Sequence, residues 1–497
     1  MSAASVALRF RSSVLGIMNL AGEVKDAILE SATCKRRNSH TMPGASSHAV
    51  ATLLVASVAD ALHANVPMRT MRAAPRLSPL HSLRSQMPIE KEATEVAKKA
   101  KRERLNVRID DEWYDLTGFR NAHPAGTHWI DAYNGNDATE VMYGFHSDGG
   151  MGMVKRMPKS KNPPTDVPKP VESSYAFREF RRKLEADGWF RPHWRGELQK
   201  LVPWALCVVA AKLLARHANP LAALGAVFFY ATSNTLSGWL AHDYVHGRNP
   251  FSMAMRGFGE LVGGMSTTWW SNKHNMHHAL TNEIGYDEDV ALEPFIYLWQ
   301  PRPDMDSSMR KWQHVYWPIP FSVLFLYWRF DSIKYSIQSK KWNEGLRLAM
   351  HYAMVLALLP AHVVFLGVWL SGLMTATIVT VTHQSEEIFL KDTLRKYDFT
   401  EAQFRSTRDA MCSNWFSDIL WGGMQWQLEH HLFPIMPRYK YKALHPILRQ
   451  WAKEHGLDFR TSGEWEILVQ NVQQLKKQGA LPAVEGNPDS TPIFKQV

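Results

Sequence analysis

Three clusters of histidine constrain this chain more than any other feature of its sequence. In chain order they read His-x-x-x-His, His-x-x-His-His and Gln-x-x-His-His. On a helix, residues three or four positions apart share one face, so each cluster directs two or three side chains toward one spot. The clusters consist of His242 and His246, then His274, His277 and His278, and finally Gln427, His430 and His431.

The number of imidazoles indicates the kind of metal site. Imidazole nitrogens bind iron, zinc and copper. Seven histidines and a glutamine exceed the four ligands that one zinc takes, whereas they suit a pair of irons. The chain has 22 histidines, roughly one residue in 23, so a His-x-x-His-His pattern is expected by chance well under once in this length. The sequence therefore predicts a two-iron centre.

Composition limits the other classes of function. The net charge is +10, and residues 1–104 hold 16 lysines and arginines against 8 acidic residues. These basic residues follow no aromatic-studded or zinc-finger pattern, so no nucleic-acid partner is expected. The 19 tryptophans, many of them beside apolar stretches, are typical of a membrane interface. Three scattered cysteines favour a cytosol-facing location over a disulfide framework.

Two further histidines lie 23 positions apart in the first half of the chain. His123 stands in His-Pro-Ala-Gly and His146 in Tyr-Gly-Phe-His-Ser, each among aromatic and apolar residues. A strand-like alternation at Asn106–Ile109 precedes them. Two imidazoles can bind one haem from both faces, which leaves no open position and makes the haem an electron carrier.

This region resembles cytochrome b5. The matching stretches are 114–117, 123–126 and 137–146. The resemblance implies haem b with His123 and His146 as its axial ligands. Ala125 stands where the family has the first glycine of His-Pro-Gly-Gly, and its methyl group is expected to loosen haem binding without abolishing it.

From Leu201 the chain becomes apolar. Residues 201–215 and 220–241 predict a helical hairpin through a bilayer that ends at the first cluster. Residues 348–385 then run 38 positions without a charged side chain, which exceeds one crossing. The second and third clusters need the same membrane side, so an even number of crossings separates them. Either 315–328 pairs with 348–383, or 348–383 is itself a hairpin broken near Pro360.

The fold class that follows is mainly α, with a multi-pass membrane helical domain and a small α+β haem domain. Residues 1–90 are rich in alanine, serine and arginine, which is compatible with a transit peptide, a disordered tail or an incorrectly extended gene start. The predicted segments are an N-terminal extension, disordered or targeting, at 1–95, the haem-binding domain at 100–157, a proline-rich linker at 158–174, the membrane domain at 175–470 and a tail at 471–497.

Together these features resemble the front-end fatty acyl desaturases, in which a cytochrome b5 domain precedes a membrane di-iron desaturase. The resemblance covers about 105–157 and 235–460, and it rests on the three clusters, on glutamine at the start of the third and on Leu-Phe-Pro at 432–434. It implies that O2 and two electrons from cytochrome b5 reductase are used to oxidise an unactivated C–H bond. The product would carry a new double bond between the carboxyl end and an existing double bond of an acyl chain, bound to CoA or to a phospholipid.

The resemblance also assigns roles by position. Gln427 would lie in the site and be required for activity. Asp243 and Asp287 would orient imidazoles from behind. His383, after the long apolar run, would be a further ligand, although a helix-end histidine can also be satisfied by hydrogen bonds alone. The expected iron ligands are His242, His246, His274, His277, His278, His383, His430 and His431.

Other outcomes fit the same clusters. A sphingoid long-chain-base desaturase or an acyl hydroxylase would carry very similar histidines. A non-catalytic b5 electron-transfer protein would show lost ligands, whereas all three clusters are intact here. The expected location is the endoplasmic reticulum membrane, with the haem domain and the clusters facing the cytosol. A plastid or mitochondrial membrane is the alternative if residues 1–40 are a transit peptide.

Overall fold

The structure is a computed structural model that describes residues 104–123, 126–165, 170–390 and 397–490. The predictions for residues 1–95 and for Ala125 lie outside the described residues. Helices dominate the described part of the chain, which confirms the mainly α fold class. The helices are α1 (His128–Ala132), α2 (Thr139–Phe145), α3 (Asp148–Val154), α4 (Glu172–Ala186), α5 (Trp194–Leu214), α6 (Pro220–His246), α7 (Pro250–Gly263), α8 (Thr267–Ala279), α9 (Gln313–Tyr316), α10 (Pro318–Gln338), α11 (Trp342–Leu358), α12 (Ala361–Val381), α13 (Phe399–Ser406), α14 (Trp415–Trp421), α15 (Gln427–Leu432), α16 (Tyr441–Glu454) and α17 (Glu464–Ala480).

The strands are short. β1 (Asn106–Ile109) and β2 (Glu112–Asp115) form an antiparallel hairpin, as the alternation in the sequence predicts for β1. Its turn residues Asp110 and Asp111 have φ values of 52° and 66°. A two-residue hairpin turn needs this left-handed region, which aspartate tolerates better than most residues. Near the other end of the chain, β3 (Asp409–Met411) pairs in parallel with β4 (Thr461–Gly463).

Two predicted irregular segments are partly ordered by contacts with their neighbours. In the segment predicted as a linker, the Pro158 carbonyl accepts a hydrogen bond from Asp115 and the Ser160 amide donates to Trp113, so the segment begins by pairing with β2. In the segment predicted as a tail, α17 continues to Ala480, and its Leu475 is buried in a cluster with Phe321 of α10 and Ala376 of α12. Local composition did not reveal either contact, since both partners are distant in the sequence.

α5 and α6 pack together as a helical pair. Asn219 caps α6 by accepting a hydrogen bond from the Leu221 amide, and Pro220 occupies its first position. Lys212 in α5 donates a hydrogen bond to the carbonyl of Leu358 at the end of α11. Spacings of three and four place a row of exposed apolar side chains on one face of α5, a pattern suited to contact with lipid. The row consists of Leu198, Val202, Leu206, Val209 and Leu213.

The long apolar run breaks at Pro360. α11 ends at Leu358 and α12 begins at Ala361, because proline supplies no amide proton to continue a helix. The break matches one of the two arrangements expected for 348–383. Among the helices of the described residues, α12 alone is both long and apolar enough to cross a membrane. The number of crossings therefore stays a prediction.

One buried core joins three parts of the chain. These are the described residues of the predicted haem domain (104–123 and 126–157, called the haem region below), α4 and the segment that carries the third cluster. Phe177 of α4 stacks on Phe433 with ring centroids 5.6 Å apart, and Phe180 stacks on Trp451 of α16 at 5.2 Å. Such offset aromatic pairs contribute beyond the area they bury. The haem region is therefore packed directly against the helices that bear the histidines.

Candidate metal and haem sites

The three histidine clusters lie on three helices that meet in the interior. The first occupies the last turn of α6, the second the last turns of α8, and the third lies on α15. All seven histidines are buried, as is His383. The ligand nitrogens of these eight form two groups, and within each group they lie within 4.8 Å of one another. The groups are His242, His246, His274, His278 and His430, and His277, His383 and His431.

The five-histidine group has converging nitrogens without ordinary partners. The Nε2 atom of His274 lies 2.6 Å from that of His242 and 3.0 Å from that of His278. Neither ring nitrogen of His246, nor Nε2 of His430, has a hydrogen-bond partner among the described residues. Buried polar atoms are nearly always paired. A metal ion would satisfy them, and neutral imidazoles are ligands that iron accepts.

The three-histidine group is completed by Gln427. Nδ1 of His383 lies 2.9 Å from the Ser406 carbonyl, which assigns the proton to Nδ1 and leaves Nε2 free to bind a metal. The Gln427 amide nitrogen lies 2.8 Å from this Nε2 and 3.3 Å from Nε2 of His431, while its Oε1 is buried without a partner among the described residues. The two ends of an amide are exchangeable by rotation, so Gln427 can present its oxygen to this group.

Polar side chains fix the ring orientation in the smaller group. Oδ2 of Asp287 lies 2.8 Å from Nδ1 of His277, so the structure places Asp287 where an orienting partner is predicted. Oε1 of Gln403 lies 2.8 Å from Nδ1 of His431, and the Thr281 hydroxyl lies 3.2 Å from the same atom. When one imidazole nitrogen is held in this way, the other is fixed as the ligand.

Asp243, the other residue predicted to orient an imidazole, makes its hydrogen bonds elsewhere. Its carboxylate pairs with Lys200 of α5 and accepts a hydrogen bond from the Arg438 amide at 3.3 Å. The reason is geometric, since the residue after His242 points about 100° away around the helix. Asp243 therefore ties α5 and the segment after the third cluster to α6.

Sequence reasoning missed two partners of the histidines. Gln403 lies on α13, 28 positions before His431. Tyr441 begins α16, and its hydroxyl lies 3.2 Å from Nδ1 of His430, 11 positions earlier. Neither residue belongs to a local motif, so only the tertiary fold reveals its role.

The two predicted haem ligands face each other. The ring centroids of His123 and His146 are 6.4 Å apart, so the two rings could hold one haem iron between them. Nδ1 of His123 lies 3.0 Å from the Gly126 carbonyl, which leaves Nε2 for the metal. Burial, with the nearby charge of Arg248, lowers the pKa of His146 to about 4. A neutral imidazole is the form that ligates haem, so the residues fit the group.

Phe145 lies between the two sites. It precedes His146 directly, and its ring centroid is 5.9 Å from that of His278 and 6.5 Å from that of His246. A single buried aromatic side chain thus contacts two histidines of the five-histidine group and is covalently adjacent to a haem ligand. The haem site and the metal site are immediate neighbours.

A cavity of about 100 Å³ opens beside the histidines. Both histidine groups and Gln427 contribute to its wall. Lys273 also reaches the wall, where its charge is paired with Asp289 at 2.6 Å. Most of the remaining wall is apolar, so the cavity suits a hydrocarbon. The apolar wall includes Trp270, Phe321, Leu324, Phe325, Trp328 and Val379.

A multi-histidine metal site that adjoins both a two-histidine haem site and an apolar cavity defines an oxidoreductase for an apolar substrate. Comparison with known proteins agrees with this class. Residues 218–463 match the family model described as fatty acid desaturase, and residues 92–163 match that of the cytochrome b5-like haem/steroid binding domain.

Three relatives match this chain over most of their own length. The acyl-lipid 8-desaturase of Rebecca salina is 31% identical over 396 residues, which cover 75% of this chain and 91% of that protein. The Delta(8)-fatty-acid desaturase of Euglena gracilis is 28% identical over 75% of this chain and 94% of its own length. The Delta(6)-fatty-acid desaturase fat-3 of Caenorhabditis elegans is 26% identical over 75% of this chain and 96% of its own length.

The chain belongs to the fatty acid desaturases that carry an N-terminal cytochrome b5 domain. The resemblance read from the sequence is confirmed, as are the assignment as a desaturase enzyme and the haem-binding domain. The family is membrane-associated and iron-dependent, and it uses a lipid substrate, O2 and electron transfer.

Proposed function

We propose that this chain is an O2-dependent di-iron desaturase that acts on an unsaturated acyl chain, between its carboxyl end and an existing double bond. The observation that carries the proposal is the convergence of eight buried histidines into two groups beside an apolar cavity. Two bound irons would supply the activation of O2 that removal of hydrogen from an unactivated C–H bond requires. The fold would supply the ligands, their orientation and a largely apolar cavity.

The two groups would each hold one iron. The first would use the five histidines His242, His246, His274, His278 and His430. The second would use His277, His383 and His431, with Gln427 as a further donor. Asp287 and Gln403 fix which nitrogen of His277 and of His431 faces the metal. Ring orientations set in advance reduce the reorganisation needed when metal and substrate bind.

Electrons would reach this site from the chain's own haem, held by His123 and His146. Support comes from Phe145, which contacts His246 and His278 and adjoins the haem ligand. Because the haem region shares a core with α15, the distance between donor and acceptor is set by packing rather than by diffusion. Cytochrome b5 reductase is the proposed source of these electrons.

The reacting acyl chain would lie in the cavity beside the histidines. Its aromatic and aliphatic wall excludes water from the reacting carbons. On the likeness to an acyl-lipid 8-desaturase, we propose a lipid-bound acyl chain, with acyl-CoA as the alternative. The relatives named above include 8-desaturases and a Delta(6) desaturase, so the position in this chain is left to experiment.

The proposed location is the endoplasmic reticulum membrane, with several crossings and with the haem region and histidines on the cytosolic side. The exposed apolar row on α5 and the length of α12 support contact with lipid. The domain limits of 100–157 and 175–470 belong to this proposal. A plastid or mitochondrial location would rest on residues 1–40, which lie outside the described residues.

The test is expression of the full chain in yeast that is fed a panel of unsaturated fatty acids, followed by gas chromatography–mass spectrometry. A His430→Ala, His431→Ala variant serves as the inactive control. His362→Ala, which removes an exposed histidine, serves as the matched active control. We expect a more unsaturated acid from the wild type and from His362→Ala, and none from the double variant.

Three results would contradict the proposal. Hydroxylated lipids would indicate an acyl hydroxylase, and altered sphingoid bases would indicate a long-chain-base desaturase. Unchanged lipids in cells that contain folded, haem-loaded protein would indicate a b5 electron-transfer protein. The lipid extract shows the first two outcomes, and the haem absorbance of the same cells identifies the third.

A further inference from the structure

We propose that Gly238 is a specificity-determining residue, because it leaves the lateral room beside the metal site that a bent, cis-unsaturated acyl chain needs. The inference rests on the proposed function and names the feature of the substrate that the cavity selects. Gly238 does not belong to the histidine clusters, and the sequence analysis assigns it no role.

Gly238 borders empty space rather than a neighbouring helix. It lines the cavity, and a Cβ atom built on it would have no atom of the described residues within 4 Å. Other helical glycines behave differently. A Cβ on Gly367 would lie 2.4 Å from the Tyr230 ring, and one on Gly372 would lie 2.5 Å from the Ser322 carbonyl. Those glycines allow helices to approach closely, whereas Gly238 does not.

A glycine inside a helix needs a reason, since it is less favourable there than alanine. The usual reason is close packing against another helix. The open space beside Gly238 excludes this reason. The absence of a side chain therefore benefits whatever occupies the cavity. The proposed occupant is the acyl chain.

The position of Gly238 identifies which part of the chain it would border. It lies one helical turn before His242, about 6 Å along α6, on the same face. α10 and α12 also contribute to the wall of the cavity, through Phe325, Thr375 and Val379. This section is largely apolar and adjoins the reacting carbons, so it suits hydrocarbon close to the new double bond.

The effect of substitution follows from the size of the space. The cavity measures about 100 Å³, several times the roughly 10–15 Å³ that one water-sized group requires. The four carbons of leucine at 238 would occupy much of it, and the single carbon of alanine a small part. A cis double bond bends an acyl chain and widens the path it needs. Narrowing the cavity should therefore penalise the more unsaturated of two acids of equal length.

The experiment compares Gly238→Ala and Gly238→Leu with Gly345→Ala and Gly345→Leu. Gly345 is also helical with open space around it, but it does not line the cavity, so it reproduces the change in helix propensity. Yeast expressing each full chain would receive two acids of equal length that differ by one cis double bond, supplied together. Product ratios, the haem absorbance spectrum and the thermal midpoint would be recorded for each variant.

We expect Gly238→Leu to lower conversion at least tenfold, which is the scale on which misplaced methylene groups alter kcat/KM. Gly238→Ala should shift the product ratio about twofold or more toward the less unsaturated acid. Both Gly345 variants should stay within about twofold of wild type. Gly238 variants that convert both acids as the wild type does would overturn the inference. A loss that is equal for both acids and parallels a fall in haem content would also overturn it.

A binding measurement separates this inference from the proposed function. Purified full chain would be titrated with a fluorescent cis-unsaturated fatty acid, which requires no turnover. If the wild type makes no new fatty acid but binds the probe, and Gly238→Leu does not, the proposed function fails while the inference stands. Equal binding by wild type and Gly238→Leu refutes the inference whatever the lipid profile shows.

Discussion

The substitution Asp287→Asn tests how the fold prepares the smaller histidine group. The Asp287 side chain is fully buried and serves three donors. Oδ2 accepts hydrogen bonds from His277 Nδ1 at 2.8 Å and from the backbone N–H of Asn282 at 2.8 Å. Oδ1 accepts one from the backbone N–H of Asp289 at 2.9 Å. Asparagine has the same shape, but one of its two terminal atoms is a donor. At least one of these hydrogen bonds is therefore lost, and a hydrogen bond from His277 that the asparagine oxygen keeps no longer has a charged acceptor.

The size of the effect can be worked out in two ways. A hydrogen bond to a charged group contributes about 1.5–3 kcal/mol. Mutation of a partner behind a metal-bound histidine typically costs about 10–100-fold in metal affinity, which corresponds to about 1.4–2.7 kcal/mol. The two estimates agree. We therefore expect Asp287→Asn to weaken iron binding about 10–100-fold.

The assay is iron retention by purified full chain during titration with a chelator. Asp304→Asn is the matched control, because Asp304 is exposed and pairs with Arg302 at the surface. Haem content should be unchanged in both variants, since His123 and His146 lie outside the three-histidine group. If Asp287→Asn keeps its haem and its thermal midpoint but holds iron within about twofold of wild type, then Asp287 does not strengthen iron binding by orienting His277.

Three further predictions concern other residues. Phe145→Leu should slow reoxidation of the reduced haem by O2 and substrate at least severalfold in stopped-flow absorbance without altering the haem spectrum, and an unchanged rate would exclude Phe145 as the link. His146→Ala should abolish the haem spectrum but leave non-haem iron in place, and joint loss of both would show that the two sites fold together. Burial alone would lower the pKa of His445, but hydrogen bonds to Asp409 and Glu429 outweigh it and raise the pKa to about 9. The charged His445 imidazole therefore stabilises the folded chain fully below pH 6.5, the ordinary pKa of histidine. This stabilisation is lost as pH rises through 9. The denaturation midpoint of wild type should fall across this window while that of His445→Gln changes less, and a flat wild-type profile would contradict the assignment.

The histidine clusters were predictable because helix periodicity is local. Spacings of three and four read from the sequence place these side chains together once the segments are helices. The same reasoning places the helix break at Pro360, since a proline acts within its own turn. His383 was within reach only through resemblance, because a single histidine after an apolar helix carries no spacing signal.

The division of the histidines into groups of five and three was not predicted. It follows from the angle between neighbours, since His277 and His278 are adjacent on α8 and therefore point about 100° apart. His278 joins the larger group and His277 the smaller one. His430 and His431 on α15 separate in the same way. α8 and α15 thus each contribute to both groups, whereas α6 contributes only to the larger one.

Tertiary contacts explain what the sequence could not indicate. Gln403 reaches His431 only because α13 packs against α15. Asp243 is adjacent to a ligand in sequence but faces Lys200 in space. The shared core between the haem region and α16 was also not foreseen, since a proline-rich stretch between them predicts separated domains.

The most direct test of the central claim is the position of the new double bond. Yeast expressing the full chain would be fed an acid with one known double bond, and the product would be derivatised for mass spectrometry that locates unsaturation. We expect a new double bond between the carboxyl group and the original one. A new double bond on the methyl side of the original, or a hydroxyl group in its place, would contradict it.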